Sequence, residues 1–215
     1  YSYYESKDKE PKKLYGMQDE QSKININMIV TESNVNNDLR AEFVRLVSDV
    51  LDYDEQQAEE LVDRFIDWID YDDTKMEYGK EDYSDLSISA KNKPLNRLEE
   101  LLMIDGFDLD IFNKLSNYLT IYSEGKININ TAPREVLTAL GLSEESAQDV
   151  IAYRNGSDME AATGDDVPIQ DIGELQSKQA EIFKNRTLSS EDITAISSLI
   201  TARITVTSDF YRVNS

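Results

Sequence analysis

Lys23-Ile24-Asn25-Ile26-Asn27 recurs as Lys126-Ile127-Asn128-Ile129-Asn130, and the chain between the two copies reads as helix after helix. Apolar-polar alternation with β-branched residues marks a short extended segment with one buried face. The chain therefore leaves one extended segment, builds a helical body and returns to a second. Lys23 to Val30 reads as a strand. Near the end, Arg203 to Val206 and Phe210 to Val213 read as two strands joined by Thr207, Ser208 and Asp209 as a hairpin. The fold class is α+β. Residues 1–30 form a lead-in and first strand, 31–186 an inserted helical domain, and 187–215 a closing helix and strands.

The helical body is read from periodicity and caps. Asn37 or Asp38 can cap a helix that turns Leu39, Phe43, Leu46, Val47, Val50 and Leu51 to one face. Asp54 and Gln57 form a capping box ahead of a second stripe of Ala58, Leu61, Val62, Phe65, Ile66 and Ile69. Two such helices with a short connection pack as a hairpin. Pro94 sets up a helix start before the stripe of Leu98, Leu101 and Leu102. Asp108 can cap a helix burying Ile111, Phe112, Leu115, Tyr118 and Leu119. After the second pentapeptide, Thr131 can cap a helix with Pro133 in its first turn, which Gly141 stops. Ser143 starts another through Val150 and Ile151, and Ser190 starts the last, running to about Leu199. Trp68, beside Phe65 and Ile69, reads as core, and Arg134 and Arg154 read as partners of neighbouring acids.

Asp and Glu number 43 against 22 Lys and Arg, for a formal charge of −21. Such a field repels phosphate backbones and anionic headgroups and favours divalent cations. The absence of His and Cys removes imidazole and thiolate chemistry and the Zn and Fe sites that need those ligands. No run approaches the roughly 18 apolar residues of a membrane span. Tyr1 to Lys13 is polar and without period, and the chain does not open on Met, as expected of a trimmed piece of a longer protein.

The strongest candidate site is the acidic loop that follows Trp68, with Asp70, Asp72, Asp73, Glu81 and Asp82 as metal ligands and Glu77 and Asp85 nearby. With Asp70 counted as first, Asp72 is third, Thr74 fifth and Glu81 twelfth, which is where a calcium loop places oxygens. Lys75 stands where such a loop needs Gly, so a faithful EF-hand is rejected. Crowded carboxylates nevertheless repel one another unless a hard cation such as calcium sits among them. Asp158, Glu160, Asp165, Asp166 and Asp171 form a second acidic cluster, read as a solvated loop. Asn130 to Arg154 matches half of a helix-hairpin-helix, the element that grips nucleic-acid phosphates. Its turn, Gly141-Leu142-Ser143, runs into Glu144 and Glu145, which a phosphate would meet first, so a structural hairpin is the better reading. A nucleic-acid binder and an acidic surface hydrolase remain as alternatives; no carboxylate pair is singled out for hydrolysis.

Arg64-Phe65-Ile66-Asp67-Trp68-Ile69-Asp70-Tyr71-Asp72-Asp73, then Gly79-Lys80-Glu81-Asp82, Asn92-Lys93-Pro94-Leu95, Glu99-Glu100-Leu101-Leu102 and Ile127 to Leu137 occur in an order and spacing that resembles the K-type minor pseudopilin of type II secretion systems, GspK. The related PilK-type minor pilin of type IV pili is similar. The resemblance implies a pilin-like α/β part carrying a large helical insertion, an N-terminal membrane-anchoring helix that this chain does not contain, and a place at the filament tip joined to I- and J-type minor pilins. It implies an exported protein of the periplasm or cell surface, held in the cytoplasmic membrane before assembly. It also implies bound calcium, no enzymatic activity and no small-molecule substrate, while the net charge and the acidic turns at Gly106 and Gly141 argue against a nucleic-acid partner.

Overall fold

The computed structural model describes residues 17–31, 34–84 and 88–213; the lead-in read at Tyr1 to Lys13 and the candidate Asp85 lie outside the described residues. The chain runs β1 (Met17–Asp19), β2 (Ile24–Asn25), β3 (Val30–Thr31), β4 (Asn34–Val35), α1 (Asn37–Leu51), α2 (Glu55–Ile69), α3 (Leu109–Leu115), β5 (Leu119–Thr120), β6 (Ile127–Asn128), α4 (Arg134–Ala139), α5 (Glu144–Arg154), α6 (Glu174–Ser177), α7 (Gln179–Ile182), α8 (Ser190–Ser198), β7 (Ile204–Thr205) and β8 (Tyr211–Val213). Leu98–Met103 is 3-10 helix, and Leu199–Arg203 is a π-helical turn. The class is α+β, with strands paired two at a time.

Both pentapeptides do the same structural work, and neither is a continuous strand. In each, only the first Ile-Asn pair is extended. The side chain of that Asn then accepts the backbone amide two residues on, Asn27 N to Asn25 Oδ1 at 3.0 Å and Asn130 N to Asn128 Oδ1 at 2.9 Å, an Asx turn that ends the strand. The strand read over Lys23 to Val30 is thus broken by a 3-10 turn at Ile26–Met28. The second Asn of each copy forms a two-way clasp on the residue after a proline. Asn27 takes the amide of Leu95 and donates to its carbonyl, at 2.8 and 2.9 Å; Asn130 does the same to Ile169, both at 2.8 Å. All four isoleucines are fully buried.

Each copy also pairs in parallel with a later strand. β2 lies beside β5, and β6 beside β7. The C-terminal hairpin expected from sequence does not form: β7 goes to β6, whereas β8 pairs antiparallel with β1. The connection between β7 and β8 is held open by side chains from elsewhere, Asn128 donating to Ser208 Oγ at 2.8 Å and Asp209 N donating to Gln21 Oε1 at 2.5 Å. The span 31–186 consequently carries β5 and β6 among its helices.

The α1–α2 hairpin forms as its periodicity predicts. Its N-cap is Asn36, one residue earlier than expected, accepting from Asp38 N and Leu39 N. The Asp54–Gln57 capping box is complete. Asp52 adopts a left-handed conformation (φ 56°) that closes α1, and Phe43 meets Phe65 edge to face at 5.4 Å. The start read at Pro94 begins instead at Leu98, with Arg97 ahead of it. α3 stops at Leu115, which leaves Leu119 to β5. Pro133, not Thr131, flanks α4, because the Thr131 hydroxyl is engaged with Asp19. Among the described residues Arg154 pairs with no acid: it is buried and donates to the carbonyls of Ile129 and Ala132 at 2.6 and 2.8 Å, pinning α5 to the second pentapeptide. Trp68 is core, 2% exposed.

Candidate metal centre

α2 presents Asp63, Asp67 and Asp70 along one side, at the i, i+4, i+7 spacing of a single helix face. The chain after α2 folds back over that face. Met76 N donates to Asp67 Oδ1 at 3.0 Å, and Tyr78 N to Asp63 Oδ2 at 3.4 Å. Gly79 then passes so close that a Cβ there would stand 1.8 Å from Asp67 Oδ2, so any side chain at this position would have to displace the Asp67 carboxylate. The turn delivers Glu81, and Asp67, Asp70 and Glu81 each place a carboxylate oxygen within 4.8 Å of the others.

These carboxylates are unusually short of partners. Asp67 is fully buried and Asp70 nearly so. Asp70 Oδ1 and Glu81 Oε1 are buried without a hydrogen bond, as is Asn92 Oδ1 nearby in sequence. Ionised carboxylates only accept, so mutual contact cannot satisfy them. Burial first, then the neighbouring acids, pushes Asp67 and Asp70 up to about 6 and Glu81 up to about 7. Lys75 is near enough to offset part of this at Asp67, whereas Arg40 holds Asp63 and Glu59, Arg64 holds Glu60 and Asp105, and Lys80 pairs with Asp105. Asn92, in a left-handed conformation (φ 48°), ties the loop to the helix end through its amide on Trp68 O at 3.0 Å and its side chain on Asp72 O and Asp73 Oδ1, both at 3.2 Å. Trp68 and Tyr83, both buried, pack edge to face at 5.0 Å beneath it.

Of the candidates read from sequence, the structure brings Asp70 and Glu81 together. Asp72, Asp73 and Asp82 are exposed. Asp72 and Asp82 accept the amides of Thr74 (2.6 Å) and Ser84 (2.9 Å), so they shape turns. The third member, Asp67, was missed because the calcium-loop count begins at Asp70 and looks only forward; the helix face runs backward to Asp67. An oxygen-only, acceptor-only, partly desolvated donor set suits a hard divalent cation, and the orphaned oxygens and the Gly79 approach both fit one.

The other candidate sites are filled from within. Asp165 accepts from Ser157 N, Ser157 Oγ, Asp158 N and Thr163 Oγ1, hydrogen bonds that hold its carboxyl well below the usual range. Asp158, Asp166 and Asp171 accept the amides of Glu160, Ala162 and Gly173. At the helix-hairpin-helix-like turn, Gly141 has φ 104°, and the Ser143 amide and hydroxyl donate to the buried Asp192 at 2.9 and 3.0 Å. The chain's own carboxylate takes the amide that a phosphate would use. Among the described residues no helix is long and apolar enough to cross a membrane.

Two family models, both described as type II secretion system (T2SS), protein K, match residues 22–124 and 127–181. Their junction falls at the second pentapeptide, so each model takes one copy. The type II secretion system protein K of Dickeya chrysanthemi is 31% identical over 93 residues, 42% of this chain and 26% of that protein. A chain in the crystal structure of the GspK-GspI-GspJ complex from enterotoxigenic Escherichia coli shares the fold, with a TM-score of 0.62 at 20% identity over 91% of this chain and 65% of that one. The match thus takes in about a quarter of the curated relative and less than two thirds of the solved chain.

Proposed function

The chain belongs to the protein K family of type II secretion systems, and on that premise we propose that it is a structural subunit at the tip of the pseudopilus, where it binds I- and J-type minor pseudopilins and primes assembly. The observation that carries this reading is the family match on both halves of the chain, each starting at a pentapeptide; the likeness to a chain from a GspK-GspI-GspJ complex supplies the partners. The reading includes export to the periplasm and anchorage by a preceding helix before assembly. Soluble I- and J-type pseudopilins from the same operon should co-purify with this chain; consistent failure with every cognate minor pseudopilin defeats the tip reading.

Calcium belongs to the same proposal. Asp67, Asp70 and Glu81 would hold it, with Gly79 leaving the room. The ion supplies positive charge to three crowded carboxylates. The protein residues do the rest: α2 fixes Asp67 and Asp70, the Met76 amide orients Asp67, and Asn92 anchors the loop that returns toward the 3-10 segment at Leu98. Closing this loop joins the α1–α2 hairpin to the rest of the helical body.

A further inference from the structure

Calcium takes about six to eight oxygens, more than Asp67, Asp70 and Glu81 supply with one oxygen each. Asp67 is poorly placed to bind through both of its oxygens, because they already share the Met76 amide at 3.0 and 3.3 Å. A further protein oxygen is wanted: an acceptor shielded from water and lacking a hydrogen bond. Among the described residues, the buried side-chain oxygens without a hydrogen bond belong to Glu20, Asp70, Glu81, Tyr83 and Asn92. Glu20 Oε1 is answered by Arg212 and Lys23. Tyr83 is a neutral phenol, not one of the carboxylate, amide and backbone carbonyl oxygens that calcium takes. Asp70 and Glu81 already belong to the site. Asn92 Oδ1 remains.

Asn92 stands where such an oxygen is needed. Its backbone amide donates to Trp68 O at 3.0 Å, and its Nδ2 donates to Asp72 O and Asp73 Oδ1, both at 3.2 Å. These anchor points lie on either side of Asp70 in the chain, so the side chain bridges the stretch that carries Asp70. Asp72 and Asp73 are in turn near enough to Asp70 and Glu81 to raise both carboxyls. With Nδ2 turned to Asp72 and Asp73, the planar amide commits Oδ1 to another direction, where it is buried with no donor. The left-handed backbone at this position (φ 48°) accounts for a choice of Asn or Gly. It does not account for an amide oxygen sealed from water without a partner.

We propose that Asn92 Oδ1 is a fourth protein ligand of the cation, a neutral amide oxygen beside the carboxylates of Asp67, Asp70 and Glu81. The assignment rests on the calcium reading given above. A neutral oxygen adds coordination without adding to the repulsion among the acids, and the Nδ2 bonds hold it in place. Asp70 opens the loop and Asn92 closes it, so one ion ties both ends together.

Calorimetric titration of calcium into wild type, Asn92→Gly and Asn92→Asp tests this. Gly keeps the left-handed backbone and removes the whole side chain; Asp keeps an oxygen and removes the Nδ2 donor. Asn92→Gly should lose affinity by about tenfold or more, while Asn92→Asp should stay within about threefold of wild type or bind more tightly. Melts in chelator establish that both variants are folded at the titration temperature. In wild type alone, the side-chain carbonyl carbon resonance of Asn92 should move on saturation with calcium, and that of Asn130, clasped on Ile169, should not. Wild-type affinity in Asn92→Gly overturns the proposal, as does an Asn92 resonance that stays still while calcium binds. Equal losses in the Gly and Asp variants overturn it too, because they show that Asn92 acts only through Nδ2. A wild type that binds no calcium at millimolar concentration defeats the calcium reading itself, a result distinct from binding that Asn92→Gly leaves unchanged.

Discussion

Replacing Asp67 with Asn should shift stability in opposite directions with and without calcium. In the calcium-free chain the Asp67 carboxyl is driven from 3.8 to about 6, chiefly by burial. Two units at about 1.4 kcal/mol each give an upper figure of roughly 3 kcal/mol held against the native state. Glu81 is only partly buried, so water reaches the cluster, and screening reduces this to about 1–2 kcal/mol. The amide keeps an oxygen for the Met76 N–H at 3.0 Å and loses only the charge assistance of that bond. In chelator, Asp67→Asn should therefore melt about 2–8 °C above wild type, at roughly 2–4 °C per kcal/mol for a domain of this size. Calcium at 100 times its dissociation constant adds about 2.7 kcal/mol to the wild type, and the variant should gain little of it, so the order of melting temperatures inverts. Thermal melts followed by Trp68, the one tryptophan of the chain, read both arms. A variant less stable than wild type in chelator refutes the repulsion argument. A variant that keeps the whole calcium shift, or a wild type with none at millimolar calcium, refutes the cation site.

The same carboxylates set a pH dependence. Asp67 and Asp70 near 6 and Glu81 near 7 all lie above their ordinary values, so the native state binds protons more tightly than the unfolded chain. The stabilisation this provides is complete below the unfolded values and is lost as pH rises through 6 to 7. Without calcium, the melting temperature should rise as pH falls from 7 to 5, with a steeper slope in wild type than in Asp67→Asn; equal slopes count against it. The asparagine clasps make a separate prediction: Asn27→Ala and Asn130→Ala should each cost about 1–3 kcal/mol, since each strands a backbone amide and a carbonyl. Denaturant midpoints check this, and a loss below about 0.5 kcal/mol in both would show the clasps to be incidental.

What could be read from the sequence was what is decided locally. The α1–α2 hairpin was legible because a stripe such as Leu61, Phe65 and Ile69 and a capping box such as Asp54 with Gln57 need only a few neighbouring residues to act. The strand partners were not legible. β7 and β8 are adjacent in sequence, and a hairpin is the local expectation, but Asn128 and Gln21, 80 and 188 residues from the groups they bind, hold the connection apart. Loop carboxylates were ambiguous for a different reason. Asp72 lies where a calcium loop would put a ligand, yet a short acid two residues before a free amide also makes an Asx turn, and the two uses share one spacing. Burial separates them, and burial is not local: Asp67 is enclosed only because Gly79 and Met76 come back over it. The pentapeptide shows both halves of this lesson. Its alternation correctly buries the isoleucines, but its asparagines, which the alternation treats as the solvent face, end the strand and clasp Leu95 and Ile169. The two copies repeat this whole sequence of contacts, each with its own parallel strand and its own helices after it.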